Sequence, residues 1–380
     1  MSDDPYLHEY FRRFRAPIPT RACGRSVVFL VGSSGISGGT YVILQHAQWL
    51  VDHGWEVTLA VKFPDQGAGK WHPALDRMAI VGIEEAADGR EYDLAIATWW
   101  PTVYHLPDFH ARHYAYLVQS VESRFYADLP DERWAQPLAE LTYTFGIPIL
   151  TIATWLQVYL AVRYRAPSFL VRNGIRKDFY TPIGPTVSAR RRGELRVLVE
   201  GPSHVPMKNT ELAVLLARAG GADEIWHLTG QGSGLSDIVD RTFEQVPVEA
   251  VPSVYRSCDV IVKLSKVEGM FGPPLEMFHC GGTAVTYDVS GSEEYMAHDN
   301  SIVVETDDEA GVIAAIRRLK TDPDVLESLR RGALATAARW PDWEQSSSEF
   351  GRFVGALVRQ PPSDHTSTML AIKGAGVDLL

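Results

Sequence analysis

Short apolar runs alternate along this chain with stretches of helical spacing, and the alternation is nearly regular. Ser26 to Val31 is a continuous apolar run, as expected of a strand buried on both faces. A loop rich in Gly and Ser follows, and then Ile43, Leu44, Ala47, Leu50 and Val51 recur at helical intervals across Thr40 to Asp52. Gly54 ends that helix, and Glu56 to Val61 reads as a second strand. Further strand-like runs lie at Ala79 to Ile83, Leu94 to Thr98, Tyr114 to Val118 and Ile147 to Ala153, and a helix is expected over Thr154 to Arg163.

Pro182 to Arg192 interrupts the pattern with Pro, Gly, Ser and three consecutive arginines, and a domain boundary is placed there. The alternation then restarts. Strands are expected at Leu195 to Glu200, Glu224 to Leu228, Val246 to Val251, Asp259 to Leu264, Thr283 to Tyr287 and Ser301 to Val304. Helices are expected at Thr210 to Ala219, Ser236 to Gln245, Ala310 to Lys320, Asp324 to Arg339 and Glu344 to Val358. Strands separated by helices imply parallel sheets, so the fold class is α/β with two Rossmann-like, doubly wound domains facing one cleft. The expected divisions are an extension over 1–25, a first domain over 26–185, a second over 186–342, and a carboxy-terminal helix and tail over 343–380 that is a candidate to cross back to the first domain.

Composition narrows the function classes. The formal net charge of -11 argues against nucleic acid as an electrostatic partner. Cys23, Cys258 and Cys280 are odd in number and lack metal-ligand spacing, and no His pair has the H-E-x-x-H arrangement, so a cytoplasmic chain without a metal is expected. Leu141 to Val162 holds 22 uncharged residues, but Gly146 and Pro148 break it, which favours a helix end, a buried strand and another helix over a membrane span. The extension interleaves Arg12, Arg13, Arg15, Arg21 and Arg25 with Tyr6, Tyr10, Phe11 and Phe14; it is either a solvated or packed arm or a contact with an anionic membrane surface at the inner face.

Two segments carry candidate chemistry. Gly32 to Gly39 joins a strand to a helix amino end, where backbone N–H groups can hold an anion, although a tight turn with no ligand would read the same. Its glycine spacing and the ending Val61-Lys62-Phe63 do not fit dinucleotide binding, which argues against an NAD-type oxidoreductase. The second segment is Val267-Glu268-Gly269-Met270-Phe271-Gly272-Pro273-Pro274-Leu275-Glu276, with two carboxylates eight positions apart at a strand end. Such a pair, presented to a crevice, can grip a polyol; alone, surface acids are usually just solvated.

This second segment, with Cys280-Gly281-Gly282 and Gly291 to Glu294, resembles the E-x7-E region of retaining GT-B glycosyltransferases of the glycogen-synthase-like group, family 4. Gly38-Gly39, Asn173-Gly174-Ile175 and Ser257-Cys258-Asp259-Val260 extend the resemblance to most of the chain. The resemblance implies a nucleotide-sugar donor, a glycan or lipid-linked saccharide acceptor and no cofactor. By position, Glu276 would bind the ribose, Glu268 the donor sugar, and Lys208 the diphosphate, with Gly38, Gly39, Gly272 and Asn209 completing the donor site. Lys208 read without the resemblance is a solvated loop lysine. Pro202 stands where the family has an arginine, leaving His204 or Arg256 to supply that charge, and Gln119 stands where the family has a histidine. Gln119, Val199-Glu200-Gly201 and Met207-Lys208-Asn209 are similar to surface-polysaccharide rhamnosyltransferases, which points to dTDP-rhamnose as donor, with a UDP sugar as the other choice. A non-catalytic module that binds nucleotide sugar or glycan is the alternative class.

Overall fold

The computed structural model describes residues 25–63, 71–127, 129–230, 232 and 234–376. The arginine and aromatic extension considered for membrane contact lies, up to residue 24, outside the described residues. The chain divides into two compact units, Met1–Gly174 with Trp343–Leu380, and Ile175–Asp342.

The first unit holds a sheet of seven strands: β1 (Ser26–Val31), β2 (Glu56–Val61), β3 (Ala79–Gly82), β4 (Glu91–Ala97), β5 (His110–Val118), β6 (Ile149–Thr151) and β7 (Ser168–Leu170). All pairings are parallel, in the order β3-β2-β1-β4-β5-β6-β7. Val27, Val28, Phe29 and Leu30 are completely buried, which is why β1 reads as an unbroken apolar run. Helix α1 (Gly38–Asp52) follows β1, and α2 (Thr154–Tyr164) joins β6 to β7. Ser37 caps α1, its extended backbone leaving Oγ to accept from the Thr40 N–H at 3.0 Å. The uncharged stretch over 141–162 thus becomes the end of one helix, β6 and most of α2. Among the described residues, no helix is long and apolar enough to cross a membrane.

The second unit repeats the plan with six strands: β8 (Arg196–Glu200), β9 (Glu224–Thr229), β10 (Arg241–Glu244), β11 (Val260–Lys263), β12 (Thr283–Tyr287) and β13 (Ser301–Val304). Their order is β10-β9-β8-β11-β12-β13, again all parallel. Helices α3 (Thr210–Ala219), α4 (Val251–Ser257), α5 (Gly272–His279), α6 (Glu309–Thr321) and α7 (Pro323–Arg339) cover it. Strand order reverses between β1 and β4 in the first sheet and between β8 and β11 in the second. The crevice outside the strands' carboxyl ends at such a reversal is where doubly wound sheets bind ligands.

Beyond α7 the chain rejoins the first unit as α8 (Trp343–Val358) and α9 (Thr366–Ala375). Helix α8 packs along α1. His46 stacks on Phe350 with ring centroids 4.3 Å apart and meets Ser347 Oγ through Nδ1 at 3.0 Å, while Trp49 Nε1 donates to Glu344 at 3.0 Å. Burial pushes the His46 imidazole down to about 3, so the stacked ring is neutral.

Three expectations need correction. The boundary falls at Gly174/Ile175, not at 185/186. The intervening segment is pinned to the second unit: the Ile175 N–H donates to Pro341 O at 3.1 Å, and the Arg256 guanidinium donates to the carbonyls of Phe179, Thr181 and Pro185. The helix expected over 236–245 and the strand expected over 246–251 are also replaced, by β10 and α4. Phe243 packs on Trp226 at 5.1 Å, which draws 241–244 onto the sheet edge. Pro247 then turns the chain, its carbonyl accepting from the Ala250 and Val251 N–H groups, and Pro252 starts α4 at a position that needs no N–H donor.

Close approach of α8 to α1 gives a stability test. A Cβ on Gly351 would lie 2.2 Å from the Trp49 ring, whereas one on Gly374 in α9 would meet nothing. Gly351→Ala should cost about 1–3 kcal/mol by overpacking, and Gly374→Ala should be neutral or stabilising by up to about 1 kcal/mol. Urea midpoints at unchanged slope measure both; equal midpoints for the two variants would contradict the packing.

Candidate functional site

The second unit sets two lysine–glutamate pairs at the reversal between β8 and β11. Strand β8 runs into Glu200 and Gly201, and Gly201 takes φ +125°, a conformation open to glycine. Its N–H donates to Leu228 O at 3.0 Å, and its carbonyl meets His227 Nε2 at 2.8 Å. The following loop ends in a short turn, Pro206–Lys208, and in Asn209, which adopts φ +49°. Asn209 Nδ2 donates to Leu264 O at 2.9 Å, and the Lys266 N–H donates to Met207 O at 2.8 Å. The loop after β8 is therefore stitched to the loop after β11. That stitching sets Lys208 Nζ 2.7 Å from Glu268 Oε1.

A second ion pair lies at the end of β11. Lys263 Nζ donates to Glu200 Oε2 at 2.6 Å and to Glu200 O at 3.1 Å, with only 3% of the lysine side chain exposed. Burial acts to lower the Lys263 pKa, but Glu200, Glu268 and Glu276 together hold it above the usual lysine value. One ammonium thus lies in the field of three carboxylates. Burial acts to raise Glu268, yet Lys208 and Lys263 outweigh it and keep this carboxyl below its ordinary range. Glu276, in α5, is pushed the other way, to about 7; burial is the main cause and Glu200 adds to it, against hydrogen bonds from Tyr255 and Tyr180 and the charge of Lys263. Burial and the two lysines thus drive the two carboxyls apart, as in a candidate site and unlike a pair of solvated surface acids.

Structure and sequence expectation differ on where the remaining charge comes from. Arg256 is spent on the carbonyls of 179–185 and cannot stand in for the arginine missing at Pro202. His204 is exposed on the loop after β8. Lys263 escapes the sequence reading, although a lysine ending the apolar run Val260-Ile261-Val262 is a signal that could find it. At α5 the Gly272 N–H already donates to Met270 O at 2.9 Å, and Pro273 and Pro274 have none to give. The start of this helix therefore offers a ligand few backbone donors, and side-chain cations matter more. Asn209 holds the two loops together through Leu264 O, and its carbonyl accepts from the Ala213 N–H of α3 at 2.9 Å.

In the first unit, Gly38, Gly39 and Gln119 come together at the carboxyl ends of β1 and β5. Gly38 is exposed at the amino end of α1, with open space where a Cβ would stand. Gln119 Nε2 donates to Gly39 O at 3.3 Å and lies 3.5 Å from where a Gly39 Cβ would be. Among the aromatic residues of this unit, Trp100 and Tyr104 are buried core residues packed edge to face. Trp134 is 57% exposed. Among the described residues, no group of three His, Cys, Asp or Glu side chains could hold a metal ion.

Known proteins share this fold. Residues 234–336 match the family model described as Glycosyl transferases group 1, a span that takes in Lys263, Glu268 and Glu276. No curated protein matches the chain in sequence. Among solved structures it is similar to sucrose-phosphate synthase from Thermosynechococcus elongatus, with a TM-score of 0.66 at 15% identity over 86% of this chain and 97% of that one. It is also similar to WaaG, a glycosyltransferase involved in lipopolysaccharide biosynthesis, with a TM-score of 0.67 at 11% identity over 84% and 97%. A third likeness is to HepE from Anabaena, solved with UDP and glucose, with a TM-score of 0.61 at 14% identity over 86% and 98%. The chain thus has the GT-B fold of two Rossmann-like domains, and its second unit carries a region similar to the group 1 glycosyltransferases.

Proposed function

We propose that the protein is a retaining glycosyltransferase that takes a sugar from a nucleoside-diphosphate donor without a metal ion. The observation that carries this reading is the Lys208–Glu268 pair at 2.7 Å, set with Glu276 at the strand-order reversal of the second unit. The match to Glycosyl transferases group 1 over a span that includes both carboxylates supports it. So does the likeness to HepE, whose structure is also known in complex with UDP-glucose.

Each residue has a physical role in this reading. A diphosphate gains negative charge as the glycosidic bond breaks, and the fixed ammonium of Lys208 stabilises that charge. Glu268, held ionised by its two lysines, accepts hydrogen bonds from the donor sugar hydroxyls. Glu276 accepts from the ribose. Asn209 holds Lys208 in place, and Gly38, Gly39 and Gln119 serve on the first unit, where Gln119 hydrogen-bonds but cannot relay a proton as a histidine would. The acceptor attacks from the face the leaving group departs, and a donor phosphate oxygen helps take its proton. The donor proposed first is dTDP-rhamnose, the acceptor a glycan or lipid-linked saccharide, and the setting cytoplasmic, at the inner face of the membrane.

Release of nucleoside diphosphate from a panel of nucleotide sugars, dTDP-rhamnose and UDP-glucose included, tests the assignment. Lys208→Ala should lower kcat/KM by about 10²–10³, with the circular dichroism spectrum unchanged. Full activity in that variant would overturn the role of Lys208. Donor binding without turnover for any acceptor would favour a binding module, and tight NAD binding an oxidoreductase.

The raised pKa of Glu276 sets a pH dependence. Below about 7 this carboxyl holds a proton and loses acceptor capacity, so nucleotide affinity should fall about tenfold from pH 8 to pH 6. Glu276→Gln should bind weakly and flatten the profile. The same shift affects stability: between the ordinary carboxylate range and about 7, the unfolded chain ionises Glu276 while the folded chain does not. Stability from this group is therefore lost as pH rises through that window, and Glu276→Gln should remove the loss. An unchanged pH slope in the variant would assign the titration to another group.

A further inference from the structure

We propose that Lys263 is the second cation of the donor diphosphate site, supplying from the neighbouring strand the charge that Pro202 does not provide. This inference rests on the glycosyl-donor reading and names a residue outside it. Three observations carry it.

The first is placement. Lys263 ends β11, which pairs with β8 at the strand-order reversal, so its ammonium enters the same crevice as Lys208 and Glu268. This ammonium, with 3% of its side chain exposed, is costly to leave without an anionic partner, and Glu200 is that partner here. The second is the notch at Gly201. The space where a Gly201 side chain would start is lined most closely by Lys263 Nζ at 3.5 Å and Thr210 Oγ1 at 3.6 Å. Thr210 gives its one O–H to Pro202 O at 3.1 Å, which leaves the Lys263 ammonium as the donor facing the notch; no carbon atom comes as near, so the notch suits an anionic oxygen lying against the backbone. The third is charge. The cluster holds two lysines and three glutamates, a formal 2 − 3 = −1 once Glu276 is ionised, so a diphosphate is repelled unless a carboxylate gives way. Glu200 is the group able to do so, since 26% of its side chain is exposed while its ammonium partner is buried. Rotation of Glu200 toward solvent hands Lys263 to the phosphate. The leaving group then meets Lys208 from the loop and Lys263 from the floor.

The test compares nucleoside mono- and diphosphates by calorimetry on the full chain. In Lys263→Met combined with Glu200→Gln, which leaves no carboxylate stranded, affinity for UDP and dTDP should fall at least tenfold while affinity for UMP and TMP stays within twofold. Adding Pro202→Arg should restore much of the loss. Glu200→Gln alone keeps the lysine and frees it, and should raise diphosphate affinity severalfold, a gain that misfolding cannot imitate. Diphosphate affinity unchanged in the double variant, equal loss for mono- and diphosphates, or weaker diphosphate binding in Glu200→Gln would each overturn the inference. If the unaltered chain binds no nucleotide, the donor reading itself fails and takes this inference with it.

Discussion

Everything about the candidate site depends on keeping two ammonium groups and three carboxylates close together at one sheet reversal. Lys208 is held by Glu268 and Lys263 by Glu200, and the second pair is nearly sealed from solvent on the lysine side. Removing one member would leave its partner charged in a poorly solvated crevice, which is far costlier than the pair is worth. The loops after β8 and β11 are therefore coupled. Asn209 on Leu264 O and Lys266 on Met207 O fix the backbone, and the ion pairs fix the side chains. A strongly anionic ligand can join such a cluster once Glu200 turns to solvent, because it then shares both lysines without leaving either uncompensated.

The same crevice separates two carboxylates by role. Glu268, beside both lysines, stays ionised; Glu276, farther under the influence of burial and Glu200, keeps its proton to about 7. A ligand that brings hydroxyls to Glu276 and negative charge to the lysines answers both needs at once. Nucleoside diphosphate sugars have that pattern, with ribose, diphosphate and sugar in a row. At the other end of the chain, α8 and α9 return to the first unit, where a neutral His46 stacked on Phe350 locks α8 to α1.

Much of the fold is legible in the sequence because parallel strands buried on both faces are written as unbroken apolar runs. Ser26–Val31, Glu56–Val61, Thr283–Tyr287 and Ser301–Val304 have the bounds their apolar runs suggest. Where local pattern and long-range packing disagree, packing wins. Residues 241–244 join the sheet edge through Phe243 against Trp226, and Pro247 turns what alternation reads as a strand. Glu268 and Glu276 stand out by their setting between strand, glycines and helix. Lys263 does not, because its partner Glu200 lies 63 residues away and only strand pairing brings them together. Arg256 misleads for the same reason: its charge is absorbed by carbonyls more than 70 residues upstream.

The central claim is that the β8/β11 crevice of the second unit holds a nucleoside diphosphate. A crystal structure of the chain soaked with UDP or dTDP tests it most directly. The account predicts ribose hydroxyls on Glu276 and the phosphates between Lys208 and the Gly201 notch. A nucleotide bound elsewhere, or one whose phosphates touch neither Lys208 nor Gly201, would contradict it.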